Sequence, residues 1–193
     1  NGNATGVTTV LRTTNGALSL TATNGDISKS AGIVDIDVGT NVTFSGNATG
    51  ATSAWAIDLI PGTVTADDFN VQFVRIGAAG SVGVGNVTAS QSAEVISTAS
   101  TLKVGNVSSD NNITLSGTDV DLTGAGGSLQ STGGTVSVTA TGGGANNISA
   151  TGAIDIDADT VSLSGTTTGT IIDIDADNGT VTANAVTASA GVA

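Results

Sequence analysis

Apolar and polar residues alternate in short runs along most of this chain, which is the pattern of β-strands with one buried and one exposed face. Three such runs begin at Val136, Ile154 and Ile172, each eighteen residues after the last. A recurrence at a fixed period near twenty is typical of a solenoid, in which each strand lies on the equivalent strand of the next coil. The pattern therefore predicts that these three runs stack, with isoleucines in one column and aspartates in a parallel column outside.

Related runs predict the same architecture for the rest of the chain. Residues 18–23 and 33–37 repeat the first pattern, and a second strand type begins at Val42, Ile113 and Val161. Asn-Gly and Gly-Gly pairs between the runs supply the backbone freedom that coil corners need. We predict an all-β fold, a parallel β-helix of roughly ten coils and roughly 50 Å in length, as one domain over residues 1–193. The alternative is an antiparallel β-sandwich or jelly-roll subunit of a filament.

Composition supports strands throughout and a narrow core. Thr and Ser make up about a quarter of the 193 residues, Glu occurs once, and Lys plus Arg total four. β-Branched and small residues of this kind disfavour helices. The mean hydropathy of +0.27 is too high for a disordered chain. With three Phe and one Trp, the core must depend on many small aliphatic contacts.

Charge and missing residue types restrict the location and the partners. The net charge is −12 and the pI about 4.1, which excludes general binding to nucleic acid. No apolar run is long enough to span a bilayer, and Cys is absent. Because the first residue is Asn, we expect a processed mature product or a fragment of a longer chain. The absence of Cys fits secreted surface proteins that have no disulfides, so we expect a location outside the cell or at the cell surface.

One segment departs from the repeat and carries most of the aromatic residues. Residues 55–76 contain the only Pro, the only Trp and two of the three Phe. The segment is predicted to be an irregular insertion in the solenoid. Its aromatic side chains either fill a wider core or form an interface, since Trp and Phe are frequent where proteins meet. The candidate interface residues are Trp55, Phe69 and Phe73.

The aspartates of the C-terminal repeats are the candidate metal ligands. In stacked strands, like charges about 4.8 Å apart repel by roughly 1 kcal/mol per pair in water. A bound Ca²⁺ would turn that repulsion into coordination, while the alternative is a solvated acidic face with no cofactor. The sequence resembles neither an EF-hand loop nor the nonapeptide of a calcium-binding β-roll. The candidate ligands are Asp155, Asp157, Asp159, Asp173, Asp175 and Asp177.

Asn-x-Ser/Thr sequences mark candidate glycosylation sites. The eight candidates are Asn3, Asn41, Asn47, Asn86, Asn106, Asn112, Asn147 and Asn178. Strand alternation favours such triplets, because it places both of their polar residues outside.

No catalytic residues are predicted. The chain has no His, Cys or Tyr, so a polysaccharide-acting β-helix enzyme is a less favoured interpretation. Residues 152–165, with the sequence Gly-Ala-Ile-Asp-Ile-Asp-Ala-Asp-Thr-Val-Ser-Leu-Ser-Gly, resemble the strand repeats of large secreted bacterial adhesins of the filamentous-haemagglutinin type. The resemblance implies a right-handed parallel β-helix in a long surface fibre.

These observations predict a non-enzymatic structural or adhesive element of an extracellular fibre, surface layer or matrix. No charged amphipathic helix is present to cap the stack, so we expect end-to-end self-association or further coils of a larger chain. A ligand on a host or neighbouring cell surface is the other expected partner. The alternative function is a pilus-like filament subunit that polymerises by strand donation.

Overall fold

The chain forms a parallel β-solenoid. A computed structural model describes residues 8–22, 26–122, 126–141, 147–150, 153–158, 160–177 and 179–192. The strands are β1 (Thr8–Thr13), β2 (Leu18–Thr21), β3 (Ile27–Ser28), β4 (Gly32–Val38), β5 (Val42–Ser45), β6 (Ala48–Ile60), β7 (Val64–Ala66), β8 (Phe69–Ala78), β9 (Val82–Val84), β10 (Val87–Ala89), β11 (Ala93–Ser97), β12 (Leu102–Val104), β13 (Val107–Ser109), β14 (Ile113–Gly117), β15 (Val120–Leu122), β16 (Gly126–Ser131), β17 (Thr135–Ala140), β18 (Asn147–Ala150), β19 (Ala153–Ala158), β20 (Thr160–Ala176) and β21 (Val181–Val192).

The strands stack into three faces, and every described strand pair is parallel. The first face runs through β1, β4, β6, β8, β11, β14, β17, β20 and β21. The second runs through β2, β5, β7, β9, β12, β15, β18, β20 and β21. The third runs through β3, β6, β8, β10, β13, β16, β19, β20 and β21. The long strands β6, β8, β20 and β21 bend around corners and contribute to more than one face.

The eighteen-residue alignment is confirmed for one pair of runs and wrong for the third. Ile154 pairs with Ile172 on the third face, as predicted. Val136 lies on the first face and pairs with Val161, which is twenty-five residues further on. The reason is that strands of every face bury alternate residues, so their sequences look alike, and only the length of the corners assigns them to a face.

Each face contains nine stacked strands, slightly fewer than the roughly ten coils predicted. The coils vary in length: Val64 and Val82 stack at a step of 18 residues. On the first face, Val74, Ala93 and Ile113 stack at steps of 19 and 20 residues, and Val136 follows Ile113 after 23. The corners absorb these differences, while the strands keep register. An antiparallel sandwich, the alternative architecture, does not occur among the described residues because their pairings are all parallel.

The core is a set of continuous columns of small aliphatic side chains. On the first face, Ile36, Ile57 and Ile76 follow one another and are at most 1% exposed. Burial of apolar side chains of this size contributes roughly 1.5–3 kcal/mol each, so the columns are the main source of stability. The described residues include no helix long and apolar enough to cross a membrane.

Some corners bring the backbones of successive coils into close contact. Gly50 has φ of 153°, and a Cβ at this position would clash with the carbonyl of Lys29 and the hydroxyl of Ser53. Only glycine combines this conformation with so close an approach. Residue 50 therefore marks a place where the corner geometry determines the residue type.

Candidate interaction surfaces

The exposed cations are paired with carboxylates of neighbouring coils. Arg12 Nε lies 2.9 Å from Asp37 Oδ2, and these residues are register partners on the first face. Lys103 Nζ lies 3.9 Å from Asp121 Oδ2 on the second face. Ion pairs this exposed each contribute little stability. These ion pairs neutralise the positive charges of Arg12 and Lys103, so neither position presents a basic patch.

Arg75 lies between two carboxylates on the outer side of the first face. Its Nη1 is 3.5 Å from Asp58 Oδ1, and its Nε is 3.5 Å from Glu94 Oε2. The fourth cation, Lys29, is 2% exposed in the first coil. The outer surface described here is therefore acidic or neutral, which disfavours polyanionic partners.

The predicted aspartate columns form on the third face. Asp155 pairs with Asp173 and Asp157 with Asp175, and all four side chains are exposed. Asp177 is also exposed beyond the end of β20, and Asp159 lies outside the described residues. Among the described residues, no group of three or more His, Cys, Asp or Glu has a geometry that could hold a metal ion. Calcium binding stays a prediction, and a solvated acidic surface accounts for the observed geometry.

The candidate interface aromatics lie in two environments. Trp55 and Phe69 are 2% and 1% exposed, and with Phe44 they form a cluster of edge-to-face rings with centroids 5.8 to 6.1 Å apart. The indole N–H of Trp55 donates to Ser53 Oγ at 3.1 Å. These two residues fill the core, where a partner cannot reach them without unfolding. Phe73 is half-buried at an outer position of the first face.

Residues 55–76, the predicted irregular insertion, lie in β6, β7 and β8 and in the corners between them. Their strands pair in parallel with the coils on both sides, with a register shift in the β6–β8 pair between Ile57 and Ile60. The larger aromatic residues are therefore accommodated within the stack.

The candidate glycosylation sites with described side chains are all exposed and lie near corners. They are Asn41, Asn47, Asn86, Asn106 and Asn112. Asn147 has a described backbone in β18, while Asn3 and Asn178 lie outside the described residues. Glycosylation of these residues stays a prediction.

Several corner amides have a structural role that the sequence analysis missed. Asn86 Oδ1 accepts the backbone N–H of Asn106 at 3.0 Å, and Asn106 Oδ1 accepts that of Ser128 at 3.1 Å. Asp68 Oδ1 accepts the N–H of Asn86 at 2.6 Å, which extends the ladder by one coil. Each side chain thus supplies the acceptor that a corner backbone lacks. The sequence signal for this structural role was the Gly-Asn-Val triplet, which occurs at residues 85–87 and again at residues 105–107.

The two ends of the stack differ from its middle. Equivalent inward positions on the second face are at most 1% exposed from Val42 to Ile148, whereas Leu18 and Val186 at the ends are only partly buried. Val181, an inward residue of the last coil, is 46% exposed. The described large hydrophobic side chains that are exposed all belong to the first or last two coils. They are Val10, Ile33, Ile171 and Val181.

The comparisons with known proteins provide no relative for this chain. No family profile, curated protein or solved structure matches it.

Proposed function

We propose that this chain is a non-enzymatic structural or adhesive element of an extracellular fibre, surface layer or matrix. The observation that carries the proposal is the parallel stack of the described strands, whose first face continues from β4 to β20. In such a solenoid each coil contacts only its neighbours, so the fold extends in one dimension. A rod of this kind is suited to separating two attachment points.

The side-chain chemistry supports the same function. The inward residues are aliphatic, the corner amides hold successive coils together, and the outer residues are hydroxyls, amides and carboxylates. Three of the four cations form ion pairs between coils. The aliphatic core, the corner amides and the ion pairs stabilise the rod. The outer polar residues keep its surface hydrated and provide many exposed polar groups for contact with a surface ligand.

The resemblance to adhesins of the filamentous-haemagglutinin type agrees with this proposal. The parallel solenoid is compatible with the β-helix that the resemblance implies. From this resemblance we propose that the chain is part of a long secreted fibre. We also propose that it binds a ligand on a host or neighbouring cell.

Electron microscopy and immunogold labelling test the proposal. Nine stacked strands of the first face, at about 4.8 Å per step, give a rod of about 40 Å per chain. We expect rods of that length for the purified chain, and gold label on fibres or layers outside the producing cells. A compact globule, or label confined to the cell interior, would contradict the proposal.

Adhesion can be tested separately with coated beads. Beads that carry the chain should attach to target cells, and an Ile76→Asp variant should lose attachment because a carboxylate in the core prevents stacking. A Thr88→Asp variant, altered at an exposed outer position, is the matched control. Release of soluble sugars from polysaccharide by the purified chain would favour the enzymatic alternative.

A further inference from the structure

One column on the outer side of the first face is apolar over three successive coils. Ile33 of β4 pairs with Ala54 of β6, and Ala54 pairs with Phe73 of β8. Ile33 is 44% exposed, and Phe73 is half-buried. The equivalent positions of two later coils, Thr135 and Thr160, carry hydroxyls instead. The apolar column is therefore a local feature of the outer surface.

A shallow groove crosses this column along β6. Its floor consists of the outer residues Ala54 and Ala56, whose register partners on β4 and β8 have larger side chains and form the two walls. The wall residues are Ile33 and Asp35 on one side and Phe73 and Arg75 on the other. The two wall strands are two steps apart, about 9.6 Å, which leaves room above each alanine for one side chain of a ligand. The groove lies on the side of the stack, so coils added at either end would leave it accessible.

Carboxylates outnumber cations at the polar end of the groove. Arg75 lies between Asp58 and Glu94, at 3.5 Å from each. Asp35 is half-buried beside Ala56, and it has no cation within ion-pair distance in the part of the chain that the structure describes. Three carboxylates therefore surround one guanidinium. This arrangement attracts a cationic group of a ligand and repels an anionic one.

The apolar and acidic parts of the groove are spaced like alternate residues of a strand. Ile33 and Asp35 are two positions apart on β4, which separates them by about 6.7 Å along the strand. An extended peptide has the same spacing between side chains that point to one side. An apolar side chain of such a peptide would contact Ile33 and Phe73, and a Lys or Arg two positions away would reach Asp35.

We propose that this groove binds an extended segment of another protein in which an apolar residue and a Lys or Arg are two positions apart. The inference rests on the proposed function, because it names the class of ligand that an adhesive rod would hold. The uncompensated carboxylate of Asp35 favours this ligand over a neutral saccharide, which offers hydroxyls and no cation.

Surface plasmon resonance on the densely immobilised chain tests the groove. The probe is a biotinylated and amidated peptide, Gly-Leu-Thr-Lys-Gly, displayed on streptavidin, because a contact this small needs several copies for measurable retention. We expect retention that falls as the salt concentration rises. Peptides with Glu in place of Lys, or with Ser in place of Leu, should bind about tenfold more weakly.

Two variants of the chain test the position of the site. Ala54→Leu fills the floor of the groove, and Asp35→Asn removes the carboxylate that has no cation. Both change outer residues, so the circular dichroism spectrum and Tm should stay close to those of the wild type. We expect each variant to weaken peptide binding by about threefold or more. The matched controls, Ser137→Leu in a distant coil of the same face and Asp157→Asn on the third face, should bind like the wild type.

Three results would overturn the inference. They are no retention of the Lys peptide, equal retention of the Lys and Glu peptides, and unchanged retention by both groove variants. Retention of neutral oligosaccharides by the wild type and not by Ala54→Leu, without retention of the Lys peptide, would assign the groove to a saccharide instead. The proposed function fails on different grounds, namely a compact globule or an intracellular location. Coated beads that attach to cells while the peptide does not bind would remove this inference and leave the adhesive function in place.

Discussion

A buried hydroxyl in the apolar core provides a sharp test of the side-chain packing. Thr167 is an inward residue of the second face, where its neighbours in the column are Ile148 and Val186. It is 0% exposed, and its Oγ1 has no hydrogen-bond partner among the described residues. A buried hydroxyl without a partner costs about 1–3 kcal/mol. Thr167→Val replaces that hydroxyl with a methyl group of similar shape and matches the chemistry of the rest of the column.

We expect Thr167→Val to increase the free energy of unfolding by about 1–2 kcal/mol, because the desolvation penalty is removed. For a chain of this size each kcal/mol raises Tm by about 2–4 °C. Urea denaturation should show a higher midpoint with an unchanged slope. The control is Thr168→Val, which alters the neighbouring outer residue and should change stability by less than about 0.5 kcal/mol. An equal or lower stability for Thr167→Val would refute the inward assignment.

Three further predictions concern the core, the corners and the acidic column. Ile76→Ala should reduce the free energy of unfolding by about 2–5 kcal/mol in urea denaturation, and Thr88→Ala on the outer surface should leave it nearly unchanged. Asn106→Ala should cost about 1 kcal/mol and speed amide exchange at Ser128, because that N–H loses its acceptor; unchanged exchange would contradict the ladder. Asp175→Asn should raise Tm at roughly 0.01 M salt and not at roughly 1 M, where screening removes the repulsion; an equal gain at both would exclude an electrostatic origin.

The parallel solenoid could be predicted because strand alternation and a period near twenty together leave few alternatives. The contact of Asp157 with Asp175 followed from their eighteen-residue spacing, since that coil has short corners. The alignment of Val136 with Ile154 was wrong because the coil that begins at Val136 has long corners, and its next turn on the same face begins at Val161. The error was not visible in the sequence, because strands of every face have the same alternation of buried and exposed residues. The alternation of apolar and polar residues determines which side of a strand is buried. The length of the corners determines with which strand of the next coil that strand pairs.

The surface could be predicted less completely than the fold. The aromatic residues between 55 and 76 gave no sequence signal for their direction, and the structure places Trp55 inside and Phe73 outside. A strand residue changes side with a shift of one position, so a small irregularity at a corner decides the outcome. The corner amides were visible as a repeat, yet their triplets also fitted glycosylation sites. The register between Asn86 and Asn106 shows the structural role, because Asn86 Oδ1 accepts the Asn106 N–H, and glycosylation stays a prediction.

The register of the first face is the central claim, and intrachain cross-linking measures it directly. Ser137 and Ser162 are outer residues that occupy neighbouring strands in the structure, about 4.8 Å apart. The eighteen-residue alignment would instead place Asp155 beside Ser137. We expect a short bifunctional thiol reagent to close a loop in the Ser137→Cys, Ser162→Cys double variant and not in the Ser137→Cys, Asp155→Cys variant. Closure of the second loop and not the first would contradict the three-faced stack described here.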